Sequence, residues 1–128
     1  MSSPLPHRPS IDHTPASLSV VDLRDDESTA LLESLSCETA RSILAALEAG
    51  PATASDLTDR VDTTLQNARY HLENLREAGV VADVGTWYSS KGREMNVYAL
   101  TSERIELRIG TDDSRRTLAV RDAPPAEN

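Results

Sequence analysis

The feature that most constrains the fold of this chain is the order of helix, turn and strand signals from Ser36 to Leu100. The order is helix, tight turn, short helix, long helix, glycine stop, strand, polar turn and strand. The first helix of the run is predicted to reach about Ala49 and to end at Gly50-Pro51, because glycine suits a left-handed cap and proline cannot continue a helix. Its apolar residues recur at helical spacing and are Ala40, Ile43, Leu44 and Leu47.

Two further helices follow this turn, one short and one long. The short helix is predicted over Ala54–Val61, where Thr53 and Asp56 can form a shortened capping box at its start. The long helix is predicted over residues 63–78, with its N-cap at position 62 or 63 and a stop at Gly79. Its buried stripe has spacings of 3, 4 and 3 residues and consists of Leu65, Ala68, Leu72 and Leu75.

Two strands are predicted after the long helix, over Val80–Tyr88 and Glu94–Leu100, with the turn Ser89–Arg93 between them. This order of elements is the layout of a winged helix-turn-helix, in which the second helix of a pair enters the major groove of DNA. The sequence therefore predicts a mainly α, α+β fold of three to four helices and a two-stranded wing over residues 86–96.

The sequence on either side of this run divides the rest of the chain. Residues 1–18 are rich in Pro, Ser and His without periodicity, which predicts a disordered tail. The winged domain is assigned to residues 19–100 and includes an N-terminal helix over residues 25–35, which acidic residues open. Residues 101–122 form a C-terminal extension that can supply a dimer contact, and residues 123–128 form a second tail.

Two short apolar segments outside the central run also predict structure. Ser19–Leu23 is predicted to pair as an edge strand or to pack on the domain. Residues 105–109 and 118–120 alternate between apolar and polar side chains, which predicts a second hairpin, although a helix over residues 103–109 also fits the pattern.

The chain is acidic, with 21 Asp and Glu against 13 Lys and Arg and a net charge of −8. An acidic surface with Lys91 as its single lysine predicts a salt-loving, archaeal source, because carboxylates favour solubility and salt screens their repulsion; a GC-rich genome is the alternative. This charge counts against nucleic-acid binding, which usually needs a basic patch. In concentrated salt, however, counterion release contributes little, so fewer cationic contacts are needed.

The chain lacks the residues that several classes of protein need. A single cysteine, Cys37, excludes an intramolecular disulfide and a cysteine-based zinc site, and leaves a buried filler or a redox role as alternatives. No nucleophile triad, HExxH motif or glycine-rich phosphate loop is found, so we predict neither an enzyme nor a cofactor. The absence of a long apolar run and of a signal peptide predicts a cytoplasmic protein that does not span a membrane.

The face of residues 63–78 opposite the stripe carries amides, hydroxyls and one arginine. Gln and Asn can pair with adenine, Arg can reach guanine or phosphate, and cations on the wing can follow a phosphate backbone. A solvated helix face and turn are the alternative. For His71 a partly exposed helix position or half of a pH switch is also open, and Trp87 is predicted to be a core or dimer contact. The predicted DNA-binding residues are Thr63, Thr64, Gln66, Asn67, Arg69, Tyr70, His71, Lys91 and Arg93.

Six segments of the chain together form a familiar pattern: Ser36–Leu44, Asp56-Leu57 with Val61, Asn67–Leu75, Glu77–Val81, Tyr88–Glu94 and Val97-Tyr98. This set resembles the ArsR-type winged helix-turn-helix regulators, above all their haloarchaeal members. The resemblance covers about half the chain and implies a homodimeric transcription regulator that binds double-stranded DNA, with Asp25–Leu35 and part of the segment after Leu100 in the dimer interface.

The chain departs from the metal-sensing members of that family. Thr53–Leu57 holds no Cys and the segment after Leu100 holds no His, so metal sensing does not carry over and the effector is unknown. A ligand-gated repressor is the first hypothesis for its mode of action. The alternative from another class is a winged-helix module that binds proteins without reading bases.

Overall fold

The computed structural model describes residues 8–110, which form a winged helix-turn-helix of the α+β class. Four helices pack beside a three-stranded antiparallel sheet, and a separate pair of parallel strands lies beside the first helix. None of the helices within this part of the chain is long and apolar enough to cross a membrane. In chain order the elements are β1 Ser19–Asp22, α1 Asp26–Leu35, α2 Glu38–Leu47, β2 Ala52–Thr53, α3 Ala54–Arg60, α4 Leu65–Glu77, β3 Val81–Tyr88, β4 Glu94–Leu100 and β5 Ile105–Arg108.

The helix-turn-helix pair consists of α3 and α4, each with a threonine cap. The predicted capping box of α3 is confirmed, since Thr53 Oγ1 accepts from Asp56 N and Asp56 Oδ2 accepts from Thr53 N, both at 3.0 Å. The N-cap of α4 is Thr64, whose hydroxyl accepts from Asn67 N at 3.0 Å. The prediction of a cap at position 62 or 63 was wrong, because an Asp-Thr-Thr run offers three good caps in a row and only packing selects one.

The buried face of α4 differs by one position from the predicted stripe. Leu65 is 40% exposed because it lies in the first turn, which extends past the core. Its place is taken by His71, which joins Ala68, Leu72 and Leu75 at spacings of 3, 1 and 3 residues. This stripe packs against α1, α2, α3 and β3. The largest fully buried side chains of the described residues are Leu31, Ile43, Leu57, Leu72, Leu75, Val81, Val97 and Thr53.

The wing is the hairpin of β3 and β4, and β2 adds a third strand to its sheet in the order β2-β4-β3. Sequence analysis predicted only two strands, because β2 is two residues long and pairs only at Ala52↔Tyr98 and Thr53↔Val97. Between the pairs Asp83↔Tyr98 and Gly85↔Val97, β3 advances by two residues while β4 advances by one. This extra residue is a β-bulge in the lower part of the hairpin.

The second sheet pairs the two ends of the described chain. β1 and β5 are parallel, with the register Ser19↔Ile105 to Asp22↔Arg108. The predicted strand at residues 19–23 is therefore confirmed, and the alternative of a helix over residues 103–109 is wrong. Residues 118–120, the other half of the predicted second hairpin, lie outside the described residues.

Residues 8–17, which we call the strap, lie on the wing sheet rather than in a disordered tail. Ala16 N donates to Thr101 O at 2.9 Å, and Trp87 Nε1 donates to Pro9 O at 3.0 Å. The prediction of disorder over residues 1–18 is thus wrong for the described part of that segment. Composition suggested disorder because the strap has no periodicity of its own, and the contacts that hold it to the sheet are with residues far along the chain.

Candidate nucleic-acid interface

The outward face of α4 presents most of the side chains that the sequence assigned to DNA. Thr64, Gln66, Arg69 and Tyr70 are exposed, and Tyr70 has 62% of its surface accessible. Among the residues that the structure describes, the Gln66 amide has no hydrogen-bond partner, so both its donor and its acceptor can turn to a ligand. This face is therefore accessible to the major groove of a duplex.

Asn67 is exposed as well, but its amide is already engaged. Its Nδ2 donates to Thr63 Oγ1 at 2.9 Å, one turn back, while its backbone N donates to the Thr64 hydroxyl. Thr63 itself is half-buried. These two bonds join the loop before α4 to the first turn of the helix. Asn67 and Thr63 therefore order the N-terminal end of α4, and the amide oxygen and the second N–H of Asn67 are left for a ligand.

His71 does not lie on this face, and its assignment as a base or phosphate contact is wrong. Its side chain is only 8% exposed, because position 71 falls three residues after Ala68 and four before Leu75, on the buried stripe. His71 Nε2 lies 3.6 Å from Cys37 Sγ, and its ring makes an edge contact with Tyr70 at 5.2 Å between centroids. The same spacing rule that selected the leucines could have placed this residue inside.

Cys37 is the half-buried N-cap residue of α2 and lies beside His71, on the buried side of α4. The pKa of its thiol is lowered, chiefly by the nearby backbone N–H of Ala40 and then by that of Thr39, in the first turn of α2. A metal site does not form here, since the described residues contain no cluster of three or more candidate ligands. Cys37 and His71 supply only two.

The tip of the wing is held by a serine beneath its two cations. Ser89 Oγ accepts from Lys91 N at 3.2 Å and from Arg93 N at 3.1 Å, and Gly92 has a positive φ of 79° that a larger residue would adopt with strain. Lys91 and Arg93 are both exposed. The tip therefore presents two cationic side chains on an ordered turn, as the sequence predicted.

A groove of about 560 Å³ lies between α4 and the wing, and it brings the predicted arginine of the long helix close to a predicted cation of the wing. Arg69 lines it from α4 and Arg93 lines it from the wing. Two carboxylates, Glu73 and Glu94, also reach it. Glu73 is neutralised by Arg76, whose hydrogen bond is the main reason that the pKa of its carboxyl is lowered. The groove thus has an arginine and a carboxylate on each wall, Arg69 and Glu73 on α4 and Arg93 and Glu94 on the wing.

A family model supports the helix-turn-helix geometry of this chain. No curated protein matches the chain. A solved structure described as the crystal structure of an ArsR family transcriptional regulator is similar at 21% identity with a TM-score of 0.48, over 74% of this chain and 88% of that chain. Residues 35–84 match the family described as a helix-turn-helix domain, and this match spans both helices of the pair and the first half of β3.

Proposed function

We propose that this protein is a DNA-binding transcription regulator and not an enzyme. In the proposed complex, α4 enters the major groove by its N-terminal turn and the wing contacts the flanking backbone. The observation that supports this proposal is the groove that Arg69 and Arg93 line from opposite sides. Phosphate contacts by these arginines and by Lys91 would fix the register of the protein on the duplex.

Within this proposal, Gln66 is the principal base-reading residue. It is exposed, its amide is uncommitted, and Gln can make a bidentate contact with adenine N6 and N7. Asn67 has a different part, because its Nδ2 bonds Thr63 and thereby holds the first turn of α4. Tyr70 lies one turn further on, where its exposed ring can contact sugar or a thymine methyl group.

Selection of duplexes from a random pool tests the proposal directly. The wild-type protein should enrich one motif, and Gln66→Ala should lose preference at one base position by about 5- to 150-fold, the value of one bidentate contact. Glu77→Ala, an exposed change in the last turn of the same helix, should leave the motif unchanged. An unaltered motif with Gln66→Ala would remove this residue from base reading, and enrichment of no motif would reject sequence-specific binding.

We further propose that the protein acts as a homodimer on an operator, most simply as a ligand-gated repressor. Two copies would place their α4 helices in successive major grooves about 34 Å apart. Exposed apolar side chains on α1 and along one side of the β1–β5 pair and its ends support a dimer face. They are Leu23, Leu32, Leu107 and Ile109.

Placing a charge on this face should separate the two copies. Leu32 is 44% exposed on α1, so Leu32→Glu should leave the monomer folded but bury a carboxylate in the proposed dimer. Light scattering during size-exclusion chromatography should then give the monomer mass. Leu65→Glu is the matched control, since Leu65 is 40% exposed on a different surface, and it should remain dimeric. Equal masses for wild type and Leu32→Glu would exclude this face as the interface.

The alternative function is a module that binds other proteins. Exposed Tyr70 and Leu65 on the first turns of α4 favour it, because such side chains also occur at protein interfaces. It would gain support if substitutions at Gln66 and at the wing tip left DNA retention unchanged.

A further inference from the structure

The strap joins the wing to α3, the first helix of the helix-turn-helix pair, through the side chain of Arg8. The Arg8 guanidinium donates to both carboxylate oxygens of Asp56 on α3, from Nη1 and Nη2, each at 3.0 Å. A bidentate pair of this kind fixes geometry as well as charge. Burial of the Asp56 carboxyl works against its ionisation, but the hydrogen bonds from Arg8 and Thr53 outweigh it and the pKa is lowered. The pair therefore stays ionised at neutral pH and is lost only as the pH falls through that lowered pKa.

The same guanidinium also lies against the wing. Its Cζ is 4.7 Å from the centroid of the Trp87 ring, within the range of a cation–π contact. Trp87 Nε1 in turn donates to Pro9 O, so the ring is held by the strap at both its face and its edge. Trp87 is 9% exposed although it lies on β3 only two residues before the wing tip turn. The strap is what covers it on this side.

The remainder of the strap is fitted to the sheet along its length. Ile11 Cδ1 would lie 3.2 Å from a Cβ at position 85, so the absence of a side chain at Gly85 lets the strap approach closely. His13 Nε2 lies 2.8 Å from Leu100 O, and Glu103 N donates to Ala16 O at 2.8 Å. These contacts direct the chain so that Arg8 reaches the wing and α3 together.

The outer part of the wing has little else to hold it. β2 pairs with β4 only at Val97 and Tyr98, so the hairpin beyond these residues is paired only with itself. Trp87 pairs with Met95 in this outer part. Any tether between this region and the helices would therefore limit how far the wing can swing from α4.

We propose that the strap is a positioning device for DNA binding, in which Arg8 clamps Trp87 of the wing to Asp56 of α3 and so sets the width of the groove between wing and recognition helix. This inference rests on the proposed function. An ion pair whose guanidinium is 37% exposed adds little to folding stability. Holding the wing at one angle, however, increases the fraction of molecules that are already in the DNA-binding conformation, and the apparent affinity rises with that fraction.

The first arm of the test uses no DNA. Trp87 is the only tryptophan in the chain, so its emission reports directly on the strap. Arg8→Ala should shift the emission to longer wavelength and increase quenching by acrylamide, while the far-ultraviolet circular dichroism stays unchanged. Arg104→Ala is the matched control, an exposed arginine outside the clamp, and should leave the emission unchanged. Unaltered emission and quenching for Arg8→Ala would overturn the clamp.

The second arm measures affinity for a selected duplex by fluorescence anisotropy. Arg8→Ala should weaken binding by about three- to tenfold through a smaller competent fraction, with the salt slope unchanged. Arg8→Lys should not restore affinity, because an ammonium group offers neither the bidentate fork nor the flat face of a guanidinium. If Arg8 instead contacted phosphate, Arg8→Lys would bind well, and Arg8→Ala would flatten the salt slope by about 0.9.

The two arms separate failure of this inference from failure of the proposed function. A shift in Trp87 emission with unchanged DNA affinity would overturn the positioning role and leave the proposed function intact. Failure of the wild-type protein to retain any duplex would overturn both, whatever the emission shows.

Discussion

Replacing Arg69, Lys91 and Arg93 together by alanine is expected to weaken DNA binding by roughly two to three orders of magnitude at about 0.1 M salt. Each phosphate contact releases about 0.9 of a counterion, which is worth roughly eightfold in affinity between about 1 M and 0.1 M salt, and three contacts multiply. All three side chains are exposed, and two of them line one groove, so the loss should be one of binding and not of folding.

A salt titration by fluorescence anisotropy measures this effect. The slope of log affinity against log salt should become shallower by about 2.7 in the triple variant, and the two proteins should converge near molar salt. Arg104→Ala should keep the wild-type slope. A triple variant with the wild-type slope would show that none of these cations contacts phosphate.

Leu72→Ala is expected to lower the free energy of unfolding by about 2–5 kcal/mol, the range for emptying a fully packed leucine site. Leu72 has no exposed surface and lies at the centre of the α4 stripe, among α1, α2 and α3. The total free energy of unfolding of a domain of this size is only about 5–15 kcal/mol. The variant should therefore be close to unfolding at physiological temperature.

Urea denaturation followed by circular dichroism measures the loss in free energy of unfolding caused by Leu72→Ala, with Leu65→Ala as the control. The two substitutions remove the same atoms, and sequence periodicity placed both leucines in one stripe. Because Leu65 is 40% exposed, its replacement should cost roughly 1–1.5 kcal/mol, below the loss at Leu72. Equal losses at the two positions would contradict the packing of α4 described above.

Sequence periodicity predicted the elements whose signals are local. The long helix, its glycine stop, the two wing strands and the turn Ser89–Arg93 follow from spacing and from turn residues that act within a few positions. The capping box of Thr53 and Asp56 is local as well. Where several local solutions compete, as for the N-cap of α4, the sequence gives only a range.

The features that were not predicted depend on contacts between distant residues. The bond from Trp87 to Pro9 joins positions 78 apart, and neither residue signals the other. The parallel pairing of β1 with β5 and the two-residue strand β2 have the same origin, because each needs a partner that only the folded sheet supplies.

The candidate site shows both outcomes. Exposure of Gln66, Arg69 and Tyr70 on one face was predicted from helical spacing and is seen in the structure. His71 was predicted to contact DNA because of its residue type, although its helical spacing places it on the buried stripe, and it is buried. The binding of DNA by the exposed residues remains a prediction until the duplex selection and the salt titration are done.

The bulge in β3 has a consequence for engineering. A bulge bends a strand and increases its twist, so the hairpin above Gly85 leaves the sheet along a new direction. The fully buried side chains of the wing strands, Val81 and Val97, lie at or below this bend. A hairpin of another length or pitch could therefore be grafted above it to redirect the protein along a duplex, with the aliphatic interior left unaltered.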